Sequence, residues 1–426
     1  MCGIAGIVHT DGRQVDASAL QRMANAMTHR GPDGRGIWLD GGAGFAHRRL
    51  AIIDLQGGRQ PMISGDSGCV LTFNGEIYNY RELRRTLAAE GLHFLEQSDT
   101  EVVLRAYERW GEQCVDHFRG MFAFAVWDPR ARRLFAARDR LGIKPLYYRW
   151  QRRTLTFASE LKAILAGDPS DRPQLDPCSF DRYLRLQYVP APHTMVAGVR
   201  QLLPGCTLSL AADDPEPLER RFWQAHARVD DRATTAALHD RLSAVVQSHM
   251  VADVPVGALL SGGVDSSLVV AHMVRAASTA VHTFSVGFDD ARLDERSAAR
   301  QVAEHLGTVH HEQLVTDADA AEALPRIVAA MDEPLADYAA LPTYLIARFA
   351  ARHVKVVLTG EGADELFAGY RRYRRERLLG PLASLGPPYQ PSHVFSARET
   401  SRLLETRGGV SWNLSRNPSS SASRRG

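Results

Sequence analysis

Two α/β domains in series are predicted by three observations. The chain of 426 residues is about twice the ordinary single-domain length. Its first part is dense in short apolar runs interrupted by a few helical stretches, and the part beyond Ala233 alternates helix with strand. The runs of the first part are Ile4–Val8, Ala51–Ile53, Val70–Phe73, Met121–Trp127, Leu134–Ala137 and Leu155–Ala158, each set between turn-forming residues, so they are read as strands. Ala19–Thr28 and Tyr80–Gly91 repeat apolar residues at three- and four-residue spacing, and Thr100–Trp110 opens on Thr-Glu before an apolar run; these predict helices. Such a mixture makes a layered α/β domain. From Gly167 to Asp231 proline is frequent and acids cluster at Asp213–Glu219, so the inter-domain connection is placed here, with a first domain over 1–215 and a connector over 216–232.

Helix and strand then alternate as Thr235–Met250, Val256–Leu260, Ser266–Ala277, Val281–Val286, Glu295–His305, Leu341–Arg352 and Lys355–Leu358. Parallel βαβ units follow from that rhythm, giving a second domain over 233–376. Beyond Tyr370 the pattern decays into arginine clusters, Gly386-Pro387-Pro388 and the serines of 419–423, so residues 377–426 read as a separate, poorly ordered tail.

Composition narrows the function classes. Lysine plus arginine (51) balances aspartate plus glutamate (49), and only Lys144, Lys162 and Lys355 are lysines, an arginine bias that fits base composition rather than a nucleic-acid footprint. The basic run at Arg371–Arg377 is not accompanied by a known nucleic-acid module. Five dispersed cysteines with no C-x-x-C spacing speak for a reducing compartment and against structural zinc. No eighteen-residue apolar run and no basic-then-apolar leader is present, so a cytoplasmic protein without membrane insertion is expected.

Chemistry-bearing residues gather in two sets. Cys2 follows the initiator methionine; with Met1 removed, its thiol and a free α-amine of pKa about 8 stand on one residue, which makes nucleophile and base together. The second set is Leu259-Leu260-Ser261-Gly262-Gly263-Val264-Asp265-Ser266-Ser267, at the end of an apolar strand and the opening of a helix. Its glycines let backbone approach phosphate oxygens, its hydroxyls and the helix N–H groups donate, and Asp265 is placed to hold Mg²⁺. It lacks the Lys-Ser/Thr pair of a Walker A loop. Phe284-Ser285-Val286-Gly287-Phe288, Leu293-Asp294-Glu295 and Val357-Leu358-Thr359-Gly360-Glu361-Gly362-Ala363-Asp364-Glu365 follow, and strand ends of an open α/β sheet converge on one crevice. Asp332-Glu333-Pro334 and Asp337 either line that pocket or form an acidic helix end, and His310-His311 reads as a strand edge.

Met1-Cys2-Gly3-Ile4-Ala5-Gly6-Ile7 resembles the opening of class II glutamine amidotransferases. His29-Arg30-Gly31-Pro32-Asp33, His47 to Asp54, Phe73-Asn74-Gly75-Glu76-Ile77-Tyr78-Asn79 and Ser98-Asp99-Thr100-Glu101 resemble further motifs of that family in the same order. The resemblance implies an αββα domain in which Arg49 grips the α-carboxylate of glutamine, Glu76 and Asp99 its α-amino group, and Leu50 and Ile53 complete the substrate site. Asn74 and the Gly75 N–H would form an oxyanion hole. An isolated Asn-Gly between apolar runs would instead be a type I′ turn.

The second set resembles the pyrophosphate loop of ATP pyrophosphatases, and its order is similar to the synthetase domain of glutamine-dependent asparagine synthetases. Carried over, Leu260, Val286, Thr359 and Gly360 would contact ATP together with Ser261–Ser267, and Asp265 and Asp364 would hold Mg²⁺. Glu361 would sit beside an aspartyl adenylate. Tyr188-Val189-Pro190-Ala191-Pro192 and Arg221-Phe222-Trp223 resemble the exopolysaccharide- and exosortase-associated amidotransferases of this family. The resemblance implies glutamine, aspartate and ATP as substrates and a possible homodimer, with another carboxylate acceptor or a glutaminase without synthesis as alternatives. It is expected to stop near Tyr373, where the family continues with a helical section carrying a basic motif, so truncation or a frameshift is expected.

Overall fold

The computed structural model describes residues 1–226, 234–290 and 294–371, with Tyr373 and Gly380. In chain order the first part runs β1 (Gly3–His9), α1 (Ala17–Ala26), β2 (Gly34–Asp40), β3 (Ala43–Arg49), β4 (Met62–Ile63), β5 (Val70–Ile77), α2 (Tyr80–Ala89), α3 (Asp99–Trp110), α4 (Cys114–His117), β6 (Gly120–Asp128), β7 (Arg133–Arg138), β8 (Tyr147–Gln151), β9 (Thr154–Ala158), α5 (Leu161–Gly167), α6 (Pro177–Leu186), β10 (Val199–Gln201), β11 (Cys206–Ala211) and β12 (Leu218–Arg221). The second part continues α7 (Thr235–His249), β13 (Val256–Leu259), α8 (Val264–Ala276), β14 (His282–Phe288), α9 (Arg296–Leu306), β15 (Val309–Val315), α10 (Asp317–Ala330), α11 (Ala340–Ala350), β16 (Val356–Leu358) and α12 (Ala363–Phe367).

Strand alternation sorts the first part into four layers. In β1, Ile4 and Val8 point into a core shared with Phe45, Ala123, Ala125 and Phe157, while Ala5 and Ile7 pack against Leu20 and Met23 of α1 and Ile164 of α5. One six-stranded sheet (β10-β8-β9-β1-β3-β2) therefore has helices on one face and a second sheet (β12-β11-β7-β6-β5-β4) on the other. The second sheet buries Leu71, Phe73, Phe122 and Phe124 against α2 and α3. With both faces covered, each central strand reads as a continuous apolar run, which is why the runs were visible in the sequence.

The second part is a four-stranded sheet in the order β15-β14-β13-β16, parallel throughout. Val246, Ala258, Leu260, Val270, Met273 and Ala299 form the core on one side, and Val315, Ala323, Ile327 and Leu345 a second cluster. His310 and His311 lie on β15, an edge strand, as expected.

Three expectations change. Ala51–Ile53 is not a strand: β3 ends at Arg49, because the next backbone donors go to side chains, Leu50 N–H to Cys2 Sγ (3.3 Å) and Ala51 N–H to Asp33 Oδ2 (2.9 Å). The stretch 167–221 is not linker, since β10 and β11 join the two sheets and β12, inside the expected connector, pairs with β11 from Cys206↔Arg221 to Ser209↔Leu218. The sequence reading also marked only His310-His311 of β15, whose His-His-Glu-Gln masks alternation, and omitted α10, which carries an internal proline, Pro325.

Candidate functional site

Two cavities bring the singled-out residues together. The first, about 310 Å³, is lined by Cys2, Arg49, Leu50, Ile53, Asn74, Gly75, Glu76 and Asp99 among others. β1 delivers Cys2 at its start, β5 delivers Asn74 to Glu76, and the first turn of α3 delivers Asp99. Asn74 and Gly75 are mid-strand, paired with Ala123 and Phe122, and so do not form a turn. A Cβ on Gly75 would lie 2.3 Å from the Met121 carbonyl oxygen, so only glycine lets the strands meet there.

The polar groups of this cavity are buried and incompletely partnered. Asn74 is 1% exposed, and its Nδ2 has no hydrogen-bond partner among the described residues. A buried orphan amide donor costs about 1–3 kcal/mol. Burial raises the Cys2 thiol pKa, opposed by the hydrogen bond from Leu50. The neighbouring α-amine of Met1 is lowered by burial to about 6. Burial pushes the Glu76 carboxyl well above its ordinary value, and the adjacent Asp99 pushes it further. Asp99 is itself raised by burial to about 6, although it accepts the Ile77 N–H at 3.1 Å. Arg49 donates to the carbonyls of Asp54 (2.6 Å) and Leu55 (3.4 Å), which holds its guanidinium at the cavity rim. Arg30 fixes the start of the chain, donating to the Cys2 carbonyl (2.9 Å) while paired with Glu160 (3.0 Å).

The second cavity, about 850 Å³, opens at the carboxyl edge of the parallel sheet. Leu260, Ser261, Gly263, Asp265, Ser266, Val286, Thr359, Gly360, Glu361 and Asp364 all line it, with Asp337. A Cβ on Gly360 would stand 2.8 Å from the Ser266 nitrogen, so the loop after β16 rests directly on the N-terminus of α8. No side chain caps that thirteen-residue helix, which leaves its first N–H groups and positive dipole end facing the cavity. Gly262 and Ser267 are outside the lining; the Ser267 hydroxyl donates instead to the Gly263 carbonyl at 2.6 Å. Asp332 and Glu333 turn away from it: Asp332 accepts the Leu161 N–H (2.6 Å) and Glu333 the Met195 N–H (3.0 Å), tying the two halves together.

Some wall residues were missed. Lys144 is buried in the first cavity, where burial lowers its pKa and Glu76 opposes the shift; the available signal was a lysine within the apolar Leu141–Leu146 of an arginine-rich chain. His249, Val251, Ala252, Val356 and Val357 belong to the second half of the chain yet close the first cavity, a junction that spacing within one segment does not reveal.

Four αββα layers with a cysteine at the head of a central strand, followed by a parallel sheet with a glycine-rich loop at its carboxyl edge, define an N-terminal-nucleophile domain joined to an ATP-pyrophosphatase-type domain. The glutamine amidotransferase domain family matches residues 1–223 and the asparagine synthase family residues 237–422, and the chain belongs to the glutamine-hydrolysing asparagine synthetase family. Asparagine synthetase [glutamine-hydrolyzing] 1 of Bacillus subtilis is 38% identical over 388 residues, covering 90% of this chain and 61% of its own length. Asparagine synthetase B of Escherichia coli is 33% identical over 395 residues, covering 88% and 66%. A Methanocaldococcus jannaschii relative is 35% identical over 394 residues, covering 87% and 76%. The chain thus spans about three fifths of the length of the Bacillus relative. The family match reaches residue 422, which corrects the expectation that likeness stops near Tyr373. Arginine- and serine-rich composition hides periodicity there, and 377–426, except Gly380, lies outside the described residues.

Proposed function

We infer that the chain is a glutamine-dependent, ATP-consuming amidotransferase that converts aspartate to asparagine. The observation that carries the first half is one cavity lined by Cys2, Asn74, one arginine and two carboxylates. A free amino acid needs a cation for its carboxylate, which Arg49 supplies, and an anion for its ammonium, which Glu76 and Asp99 supply. With Met1 removed, the α-amine stands on Cys2 itself, beside the thiol. It takes the thiol proton as sulfur adds to the glutamine amide carbon, while Asn74 Nδ2 and the Gly75 N–H receive the oxyanion. The protonated amine then gives its proton to the amide nitrogen, the C–N bond breaks to release ammonia and leave a thioester, and water hydrolyses the thioester to glutamate and free thiol.

In the second cavity the free N–H groups of α8 and the Ser261 and Ser266 hydroxyls suit the phosphates of ATP, and Leu260 and Val286 suit the adenine. The acceptor carboxylate attacks the α-phosphorus and displaces pyrophosphate; ammonia then attacks the acyl carbon and displaces AMP. Asp265 and Asp364 are oxygen donors that fit a hard cation, and among the described residues no three-ligand cluster of His, Cys, Asp or Glu stands ready without the nucleotide. Mg²⁺ held there would neutralise triphosphate charge. Glu361 lies where it can face the acyl adenylate.

The test is Cys2→Ala, which is expected to abolish glutamine hydrolysis and leave ammonia-driven AMP formation intact; loss of both would mean that the two sites are not separable. A cell-surface sugar acid as acceptor is distinguished by identifying the amide formed.

A further inference from the structure

We propose that Asp253 and Lys355, both from the nucleotide half, are positioning residues for glutamine: they template the loop 50–55 that carries Leu50 and Ile53 and anchors Arg49. The proposal rests on the reading of the first cavity as the glutamine site. Asp253 grips the loop twice, its N–H donating to the Ile52 carbonyl (2.9 Å) and its Oδ2 accepting the Asp54 N–H (2.7 Å). Asp54 in turn offers its own carbonyl to Arg49 at 2.6 Å. Lys355 reaches the other flank, pairing with Asp33 Oδ2 at 2.7 Å, and that same oxygen accepts the Ala51 N–H at 2.9 Å. Asp33 N–H also donates to the Arg49 carbonyl at 2.9 Å. The loop forms no sheet ladder of its own, so these bonds stand in for one.

Their placement in the fold gives the device a direction. Asp253 stands three residues before β13 and Lys355 immediately before β16. These strands are parallel neighbours, registered Val256↔Val356 to Ala258↔Leu358. Their amino ends hold the loop of the first cavity, and their carboxyl ends lead into Leu260–Ser261 and Thr359–Gly360 of the second. A strand of this length is about 13 Å, so one rigid sheet edge fixes both sites. The tie runs through backbone groups, the carboxylates of Asp253 and Asp33 and the Lys355 ammonium, which itself lines the first cavity; none of these contacts is to the reacting sulfur.

The test compares the full chain with Asp253→Ala and Lys355→Met, read by glutaminase kinetics and by hydrogen exchange over residues 50–55. Each variant is expected to raise the KM for glutamine about three- to tenfold with kcat held within about twofold, and to speed exchange in the loop. Lys355→Arg and Asp253→Asn, which keep a donor or acceptor, are expected to restore KM. Unchanged KM and unchanged loop exchange would overturn the proposal, as would equal loss of kcat and thermal stability. Absence of glutaminase activity in the unaltered chain would sink the glutamine reading instead, while exchange would still report whether the two residues hold the loop.

Discussion

The three lysines of this arginine-rich chain all sit at the cavity or the junction between halves. Lys144 lines the first cavity, Lys162 donates to the carbonyls of Ala329 (2.8 Å) and Ala330 (3.1 Å), and Lys355 pairs with Asp33. Composition reads the arginine excess as background, whereas the exceptions to it gather at the first cavity and the junction. Asp99 shows what a buried carboxylate in the first cavity costs. Its folded pKa of about 6 stands above the usual aspartate value because of burial, so the native state binds a proton that the unfolded chain releases between about pH 4 and pH 6. The penalty is therefore fully present above pH 6 and fades as pH falls through it. Asp99→Asn is expected to stabilise the chain by about 1–3 kcal/mol at pH 8 and hardly at all near pH 4, measured by denaturant titration. The same variant is expected to raise the KM for glutamine, and in the unaltered chain that KM is expected to rise as pH drops below about 6. A pH-independent KM from 5 to 8 would contradict the ammonium-binding role. Asn74→Ala is expected to lower kcat by about 10²–10³ with little change in KM, since its donor meets charge that exists only in the transition state.

At the scale of elements, the strands were legible because four layers bury both faces of β1, β5, β6 and β9, leaving unbroken apolar runs. The helix starts were legible to within a residue or two: Thr100–Trp110 was expected, and α3 begins at Asp99 because Ser98 caps it, accepting the Glu101 N–H at 3.2 Å. The loop after β3 was not legible as a loop. Leu50–Ile53 is as apolar as a strand, but its donors are committed to Cys2 and Asp33, contacts between residues far apart in the chain. β12 escaped for the opposite reason, as Leu-Glu-Arg-Arg carries no strand alternation and forms only by pairing with β11. Most of the residues that the motifs singled out line one cavity or the other, because the motifs are short segments within or at the end of a strand or at a helix start. Their assembly depends on the close approach at Gly360, and Gly360→Ala is expected to cut ATP turnover about 10- to 100-fold by moving its loop off α8, with glutaminase unchanged. An unaffected ATP rate would show that the two loops do not form one nucleotide site.

Across the whole molecule, the first cavity is walled on one side by residues of the second half. Val356 and Val357 of β16 face it, and Thr359 and Gly360, just beyond the same strand, face the other. The two clefts share a three-residue strand, which sets the proposed source of ammonia beside its proposed consumer. Among the described residues no helix is long and apolar enough to cross a membrane. The central claim is that glutamine hydrolysis and carboxylate activation belong to one reaction, and a single mass-spectrometric time course with purified chain, glutamine, aspartate and Mg·ATP tests it directly. Glutamate, AMP and asparagine are predicted to rise in step; glutamate accumulating while ATP stays intact would contradict the account.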